Sequence, residues 1–217
     1  MTQDSTLHAL RLRLAPEVAA SAVFDGWTEA AVTAAAEATG TDIALARFAF
    51  ADGPMAMIAA WIARIDSDMA DALPATQLSN LSIRERIRRL VQFRLDAVAG
   101  QQEALRRALA IMAMPQNLGA ATRLGWSSAD AMWRLAGDVA TDYNHYTKRL
   151  TLGSIYAATL TVFANDTSED HAETRAFLDR RIEGVMRFER AKVRLMKPRD
   201  ETFSLTRLLG RLRYPAV

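Results

Sequence analysis

Apolar side chains recur every three or four positions through almost the whole chain, the spacing that gathers them on one face of a helix. Cut by turn residues, that period predicts helices over about 7–23, from a Thr28 cap to Thr39, and over about 41–49. Asp52, Gly53 and Pro54 form the next start signal, because proline at the first helical position gives up no needed hydrogen bond. The helix that follows, to about Leu73, is apolar nearly all round in its first half, which assigns it to the core. Residues 74–81 read as a loop. Ser82 and Glu85 then make a capping box for a helix over about 83–99. Its Ile83, Ile87, Leu90, Val91, Leu95 and Val98 turn inward, leaving Arg84, Arg86, Arg88, Arg89 and Arg94 to a solvated face. A helix over about 101–114 ends in Met112 and Met114, and Pro115 opens a short one that stops near Gly125.

The stretch 128–166 holds three of the four tyrosines. Ser127 followed by Asp130 reads as its N-terminal cap. Met132, Leu135, Val139, Tyr143, Tyr146 and Leu150 form one helical stripe, with Trp133, Ala136 and Ala140 alongside; Leu152, Ile155, Tyr156, Thr159, Leu160 and Phe163 carry a second apolar face. A long helix starts at a Ser168 cap, and Lys197–Glu201 breaks it. Beyond the break Leu205, Leu208, Leu209 and Leu212 share one stripe, flanked by Arg207, Arg211 and Arg213. A helix of a dozen residues is marginal alone in water. It either lies flat on an anionic bilayer, which an apolar face with arginine flanks suits, or folds back on the core.

Composition agrees with an all-α protein. Half of the 217 residues are hydrophobic, while glycine and proline are few. The absence of cysteine removes disulfides, thiolate metal sites and thiol nucleophiles. The first residues lack a secretory pattern, and the apolar run Met55–Ala63 stops at Arg64, short of the roughly 20 residues a membrane span needs. Catalysis finds little support: there are three histidines, one Asp-x-x-His pair (Asp142 and His145), no Glu-x-x-His and no phosphate-binding glycine loop. No catalytic residue, metal or cofactor is expected.

Charge changes the picture at the N-terminus. The first 60 residues set three arginines (Arg11, Arg13, Arg47) against seven acids, a net of −4. The three helices there have helix-turn-helix spacing, and with the longer helix after them they resemble the Tet repressor fold. The third, however, offers only Arg47 among Ile43, Leu45, Phe48 and Phe50. Duplex binding relies on cations for phosphates and polar side chains for base edges, so this unit reads as degenerate for nucleic acid.

A family resemblance enters through four segments. MWRLAGD (132–138), TDYNHYTKR (141–149) and IYAATLTVFANDTSED (155–170) resemble the signature of the ubiquinone (coenzyme Q) biosynthesis accessory family, the ninth of the Coq proteins. DGWTEAAVTAAAEATG (25–40) resembles that family's first block, so the similarity covers about residues 5–213. One departure stands out: His145 occupies a position where the family commonly has tryptophan.

The resemblance implies a Tet-repressor-like helical bundle with a degenerate helix-turn-helix over 1–52, a lipid-binding and dimerising core over 53–197, and a linker with an amphipathic membrane helix over 198–217. It implies an isoprenoid lipid held near Met112, Met114, Leu118, Trp126, Trp133 and Tyr156. A partner, a ring hydroxylase of the demethoxyubiquinone type, would meet Met132, Leu135, Asp142, His145 and Tyr146. Membrane attachment falls to Leu205, Leu208, Leu209 and Leu212 with Arg207 and Arg211. By analogy of fold the chain forms a homodimer through residues near 150–190, and its expected place is cytoplasmic, peripheral to the inner membrane. A Tet-repressor-type regulator with a lipid-sensing pocket and a plain dimeric scaffold are the competing readings.

Overall fold

A computed structural model describes residues 2–139 and 143–196. Asp142 and the whole proposed membrane segment, Leu205 to Leu212, lie outside the described residues. The described residues form ten α-helices, two short 3-10 turns and no strand. The chain divides into two compact units, residues 1–182 and 183–217.

Three helices open the first unit: α1 (Thr2–Asp25), α2 (Glu29–Ala38) and α3 (Ile43–Ala49). Asp42 caps α3 by accepting from the Leu45 amide at 2.8 Å. α1 packs on α2 and α3 and also on α4 (Pro54–Ala72) and α7 (Gln102–Met112), so the helix-turn-helix unit and the core share it. Trp27, at the α1–α2 turn, is buried and donates its indole N–H to the Ala104 carbonyl at 2.9 Å. Its ring lies 5.2 Å from that of Trp61 on α4.

The stretch expected as a loop contains one helical turn, α5 (Ala75–Leu78), which buries Leu78. α6 (Ile83–Asp96) starts at Ser82, whose hydroxyl accepts from the Glu85 amide. Its arginines do not all face solvent. Arg94 is among the largest fully buried side chains, and Arg86 donates to the carbonyls of Ser79, Leu81 and Ala136. A 3₁₀ turn (Pro115–Asn117) follows α7, and α8 runs without a break from Leu118 to Leu135. Gly125 therefore lies inside a helix, and Ser127 is no cap.

The expected stripe from Met132 to Leu150 does not exist. α8 ends at Leu135, and α9 spans Tyr143–Phe163. Gly137 adopts φ +87°, the left-handed conformation that favours glycine. The Gly137 amide donates to the Arg134 carbonyl, and the Asp138 amide reaches back to that of Trp133. This is the Schellman pattern that closes a helix. The two helices pack on each other, so the stripe's members part company: Met132 is fully buried, whereas Val139 is 91% exposed. A second 3₁₀ turn (Glu169–His171) leads into α10 (Ala172–Met196).

Candidate functional site

Helices α4, α6, α7, α8 and α9 surround a cavity of about 360 Å³. α4 contributes Ile58, Trp61 and Ile65, and α7 contributes Leu105, Ala108 and Met112. The opposite wall is α8 with Leu124, Gly125 and Trp126, and α9 with Leu150, Gly153 and Tyr156. The helical period explains the α9 wall: Arg149, Gly153, Tyr156 and Leu160 line the cavity at i, i+4, i+7 and i+11. Small residues let α8 and α9 come close. A Cβ at Gly153 would stand 3.9 Å from both the Ala129 side chain and the Gly125 carbonyl. A Cβ at Gly125 would meet nothing within 4 Å, so that glycine leaves room inside the cavity wall.

Arg94, Arg149 and three hydroxyl side chains (Thr122, Ser128 and Ser154) interrupt this apolar lining. Arg94 forms an ion pair with Asp66 and donates to the Ser128 hydroxyl at 3.0 Å. Its guanidinium lies 4.9 Å from the centre of the Tyr156 ring. Burial pushes the Asp66 carboxyl above its usual value, outweighing Arg94 and Ser128, which pull it down. Arg149, also buried, donates to Asp130 at 2.6 Å and to Asp138 at 3.0 Å.

The YTKR and LAGD motifs meet in this hairpin. Lys148 donates to Asp138 at 2.7 Å and lies over the Trp133 ring, while the Trp133 indole donates to the Lys148 carbonyl at 3.0 Å. Asp130, Asp138, Lys148 and Arg149 thus clamp α8 to α9 behind the cavity. From sequence, Asp130 reads as a helix cap and Arg94 as part of a solvated face, with no pairing assigned to Asp138, Lys148, Arg149 or Asp66; the structure makes all six partners in ion pairs. The available signal was the pairing of two acids, four residues before and after Arg134, with two adjacent cations.

The expected lipid contacts divide. Met112, Trp126 and Tyr156 line the cavity; Met114 and Leu118 lie exposed outside its lining, and Trp133 belongs to the clamp. Of the expected partner contacts, Met132 is fully buried and has no surface to offer, and Leu135 is half-buried. His145 and Tyr146 stand beside Trp126, with ring centres 6.4 and 6.0 Å from it and 5.2 Å from each other. Tyr146 is 61% exposed and Leu150 66%. The aromatic surface patch is therefore continuous, through Trp126, with the cavity wall.

Elsewhere the three N-terminal arginines are occupied. Arg47 pairs with Glu29 at 2.8 Å, Arg11 donates to the Ala49 carbonyl and pairs with Asp52, and Arg13 donates to Thr41. The outer side of α3 shows Leu45 and Phe48. This surface is poorly matched to a polyanion. Among the described residues no three His, Asp or Glu side chains come together as a metal-holding group. No single described helix is long and apolar enough to cross a membrane.

Residues 118–189, the span from α8 into α10, match the family model COQ9. The chain is 34% identical over 167 residues to the ubiquinone biosynthesis protein COQ9, mitochondrial, of Rattus norvegicus, covering 74% of this chain and 54% of that protein. For the Homo sapiens protein of the same name the identity is 33% over 169 residues, covering 74% and 52%. The chain spans about half the length of these curated relatives. In fold it is similar to a TetR transcriptional regulator from Nitrosomonas europaea, with a TM-score of 0.60 and 22% identity, covering 83% of this chain and 98% of that one. The all-α, Tet-repressor-like architecture expected from the sequence is the one observed.

Proposed function

We propose that this chain, similar to the COQ9 proteins and matching their family model over residues 118–189, serves ubiquinone biosynthesis as a non-catalytic carrier of isoprenoid quinone intermediates. The observation that carries this reading is the apolar cavity walled by α4, α7, α8 and α9, with the exposed Trp126–His145–Tyr146 patch at its side. A polyprenyl tail holds a quinone in the bilayer. Each buried methylene is worth about 0.8 kcal/mol, so one isoprene unit of five carbons gains roughly 4 kcal/mol on leaving water. A cavity of this kind offers the molecule a substitute for hydrocarbon.

Two further parts complete the proposal. Leu205, Leu208, Leu209 and Leu212, with Arg207 and Arg211, attach the chain to an anionic membrane surface. His145 and Tyr146 present the loaded cavity to a quinone-ring hydroxylase at the inner membrane, a reading supported by relatives that are themselves mitochondrial proteins. The chain acts as a homodimer. The regulator reading gains nothing from an α3 whose outer face is apolar and whose arginine is paired.

Mass spectrometry of organic extracts from the purified full chain tests the carrier reading. Prenylated quinones or their ring precursors are expected. Recovery of no prenyl lipid, together with no uptake from quinone-loaded vesicles, would overturn it.

A further inference from the structure

Arg94 and Tyr156 give the apolar cavity a polar pole. Arg94 is 1% exposed, and its Nε is buried without a hydrogen-bond partner, although its two Nη atoms are engaged by Asp66 and Ser128. Its guanidinium lies over the Tyr156 ring, 4.9 Å from the ring centre. Both side chains line the cavity, along with Ser128. A buried donor left unpaired is costly, so this is a place where an acceptor brought from outside gains more than it would at an ordinary wall.

We propose that the ligand seats head first. A neutral, oxygen-bearing ring at the end of an apolar chain sets a carbonyl, ether or hydroxyl oxygen at this pole, with the Tyr156 hydroxyl and Arg94 Nε as donors. The chain then runs out past Trp126 and Leu150. The inference rests on the carrier reading and adds to it the chemistry and direction of the cargo.

Size, pairing and charge each favour this arrangement. At about 360 Å³ the cavity is near the low end of small-ligand sites, which run from roughly 300 to 1,000 Å³. It holds a ring and the first isoprene units but not a long tail, so only one end of such a molecule is enclosed. Tail-first seating would press hydrocarbon against Arg94 and leave its donor unpaired. The ring's charge is decided by what the pole already contains. Arg94 is matched by Asp66, and Arg149 by Asp130 and Asp138. A carboxylate ligand would bring an uncompensated charge into an apolar site, whereas a neutral oxygen needs only a donor.

The test compares two probes on the full chain: a benzoquinone bearing two isoprene units, and farnesene, a hydrocarbon of similar apolar size without a head. The wild-type protein is expected to bind the quinone at least about tenfold more tightly. Tyr156→Phe, which removes only the hydroxyl, should reduce that preference to within about threefold. Asp66→Leu combined with Arg94→Met removes both charges together, a replacement that buried pairs often tolerate, and should reduce it likewise. In infrared spectra the carbonyl stretch of the bound quinone should lie lower in wild type than in Tyr156→Phe. Should the double variant fail to fold, Tyr156→Phe decides alone. Equal affinity for the two probes, with the carbonyl at its detergent position, overturns head-first seating and leaves the carrier reading standing. A quinone preference that survives Tyr156→Phe with an unmoved carbonyl overturns the pole assigned here. Binding of neither probe overturns both readings.

Discussion

Asp166 shows how one side chain can set the start of a helix. One carboxylate oxygen accepts from the Ser168 amide at 2.9 Å and from its hydroxyl, and the other accepts from the Thr174 amide at 2.8 Å and from its hydroxyl. Burial acts to raise its pKa, but these four bonds, from Ser168 and then Thr174, outweigh it and hold the carboxyl well below the ordinary 3.8. The tail motif DTSED is thus a capping device for α10, and the Ser168 cap read from the sequence is only its second member, accepting from the Glu173 amide at 3.1 Å. Because the folded-state pKa is depressed, the contribution is complete above the unfolded value and is lost as pH falls from about 4 through the folded value. Asp166→Ala should cost about 1–2 kcal/mol at pH 7 by denaturant melts. That gap should narrow progressively below pH 4 as the wild-type carboxylate takes up its proton.

The α8–α9 hairpin carries the aromatic patch and one wall of the cavity, and its break was the feature hardest to read. Met132, Leu135, Val139, Tyr143 and Tyr146 satisfy a helical period on paper, yet a period says nothing about a reversal that happens to preserve it. The missed signal was local: Gly137 followed by Asp138 is a left-handed closing residue. Arg94 was put on a solvated face for the opposite reason, since a charge is buried only when a partner such as Asp66 arrives from a different helix, which no local pattern records. Gly137→Val should destabilise the fold by about 1–2 kcal/mol, because a Cβ is strained at φ +87° and would stand 3.1 Å from the Arg86 guanidinium. Gly137→Asn should cost less, since asparagine tolerates that conformation better; thermal melts of both variants check the order. Equal losses would place the cost in the Arg86 contact and not in the backbone.

For the whole molecule, the all-α class, the helix-turn-helix opening and the approximate helix order were legible, because apolar period and proline and glycine punctuation are written along the chain. The cavity was only half legible. Met112, Trp126 and Tyr156 were anticipated, but the wall from α4, the close approach at Gly153 and the opening left by Gly125 depend on how distant helices come together. An absent side chain leaves no mark in a hydrophobic pattern. That same absence makes Gly125 the most direct handle on the carrier reading. Leucine there enters open cavity space, and replacing glycine inside a helix gains up to about 1 kcal/mol, so the fold should be kept. The deciding measurement is quenching of tryptophan fluorescence, with Trp61 and Trp126 in the cavity wall, by a short-chain quinone in wild type and Gly125→Leu. Saturable quenching in wild type, weakened at least about tenfold in a variant that melts no earlier, is the predicted result. Equal quenching in both folded proteins would contradict the account.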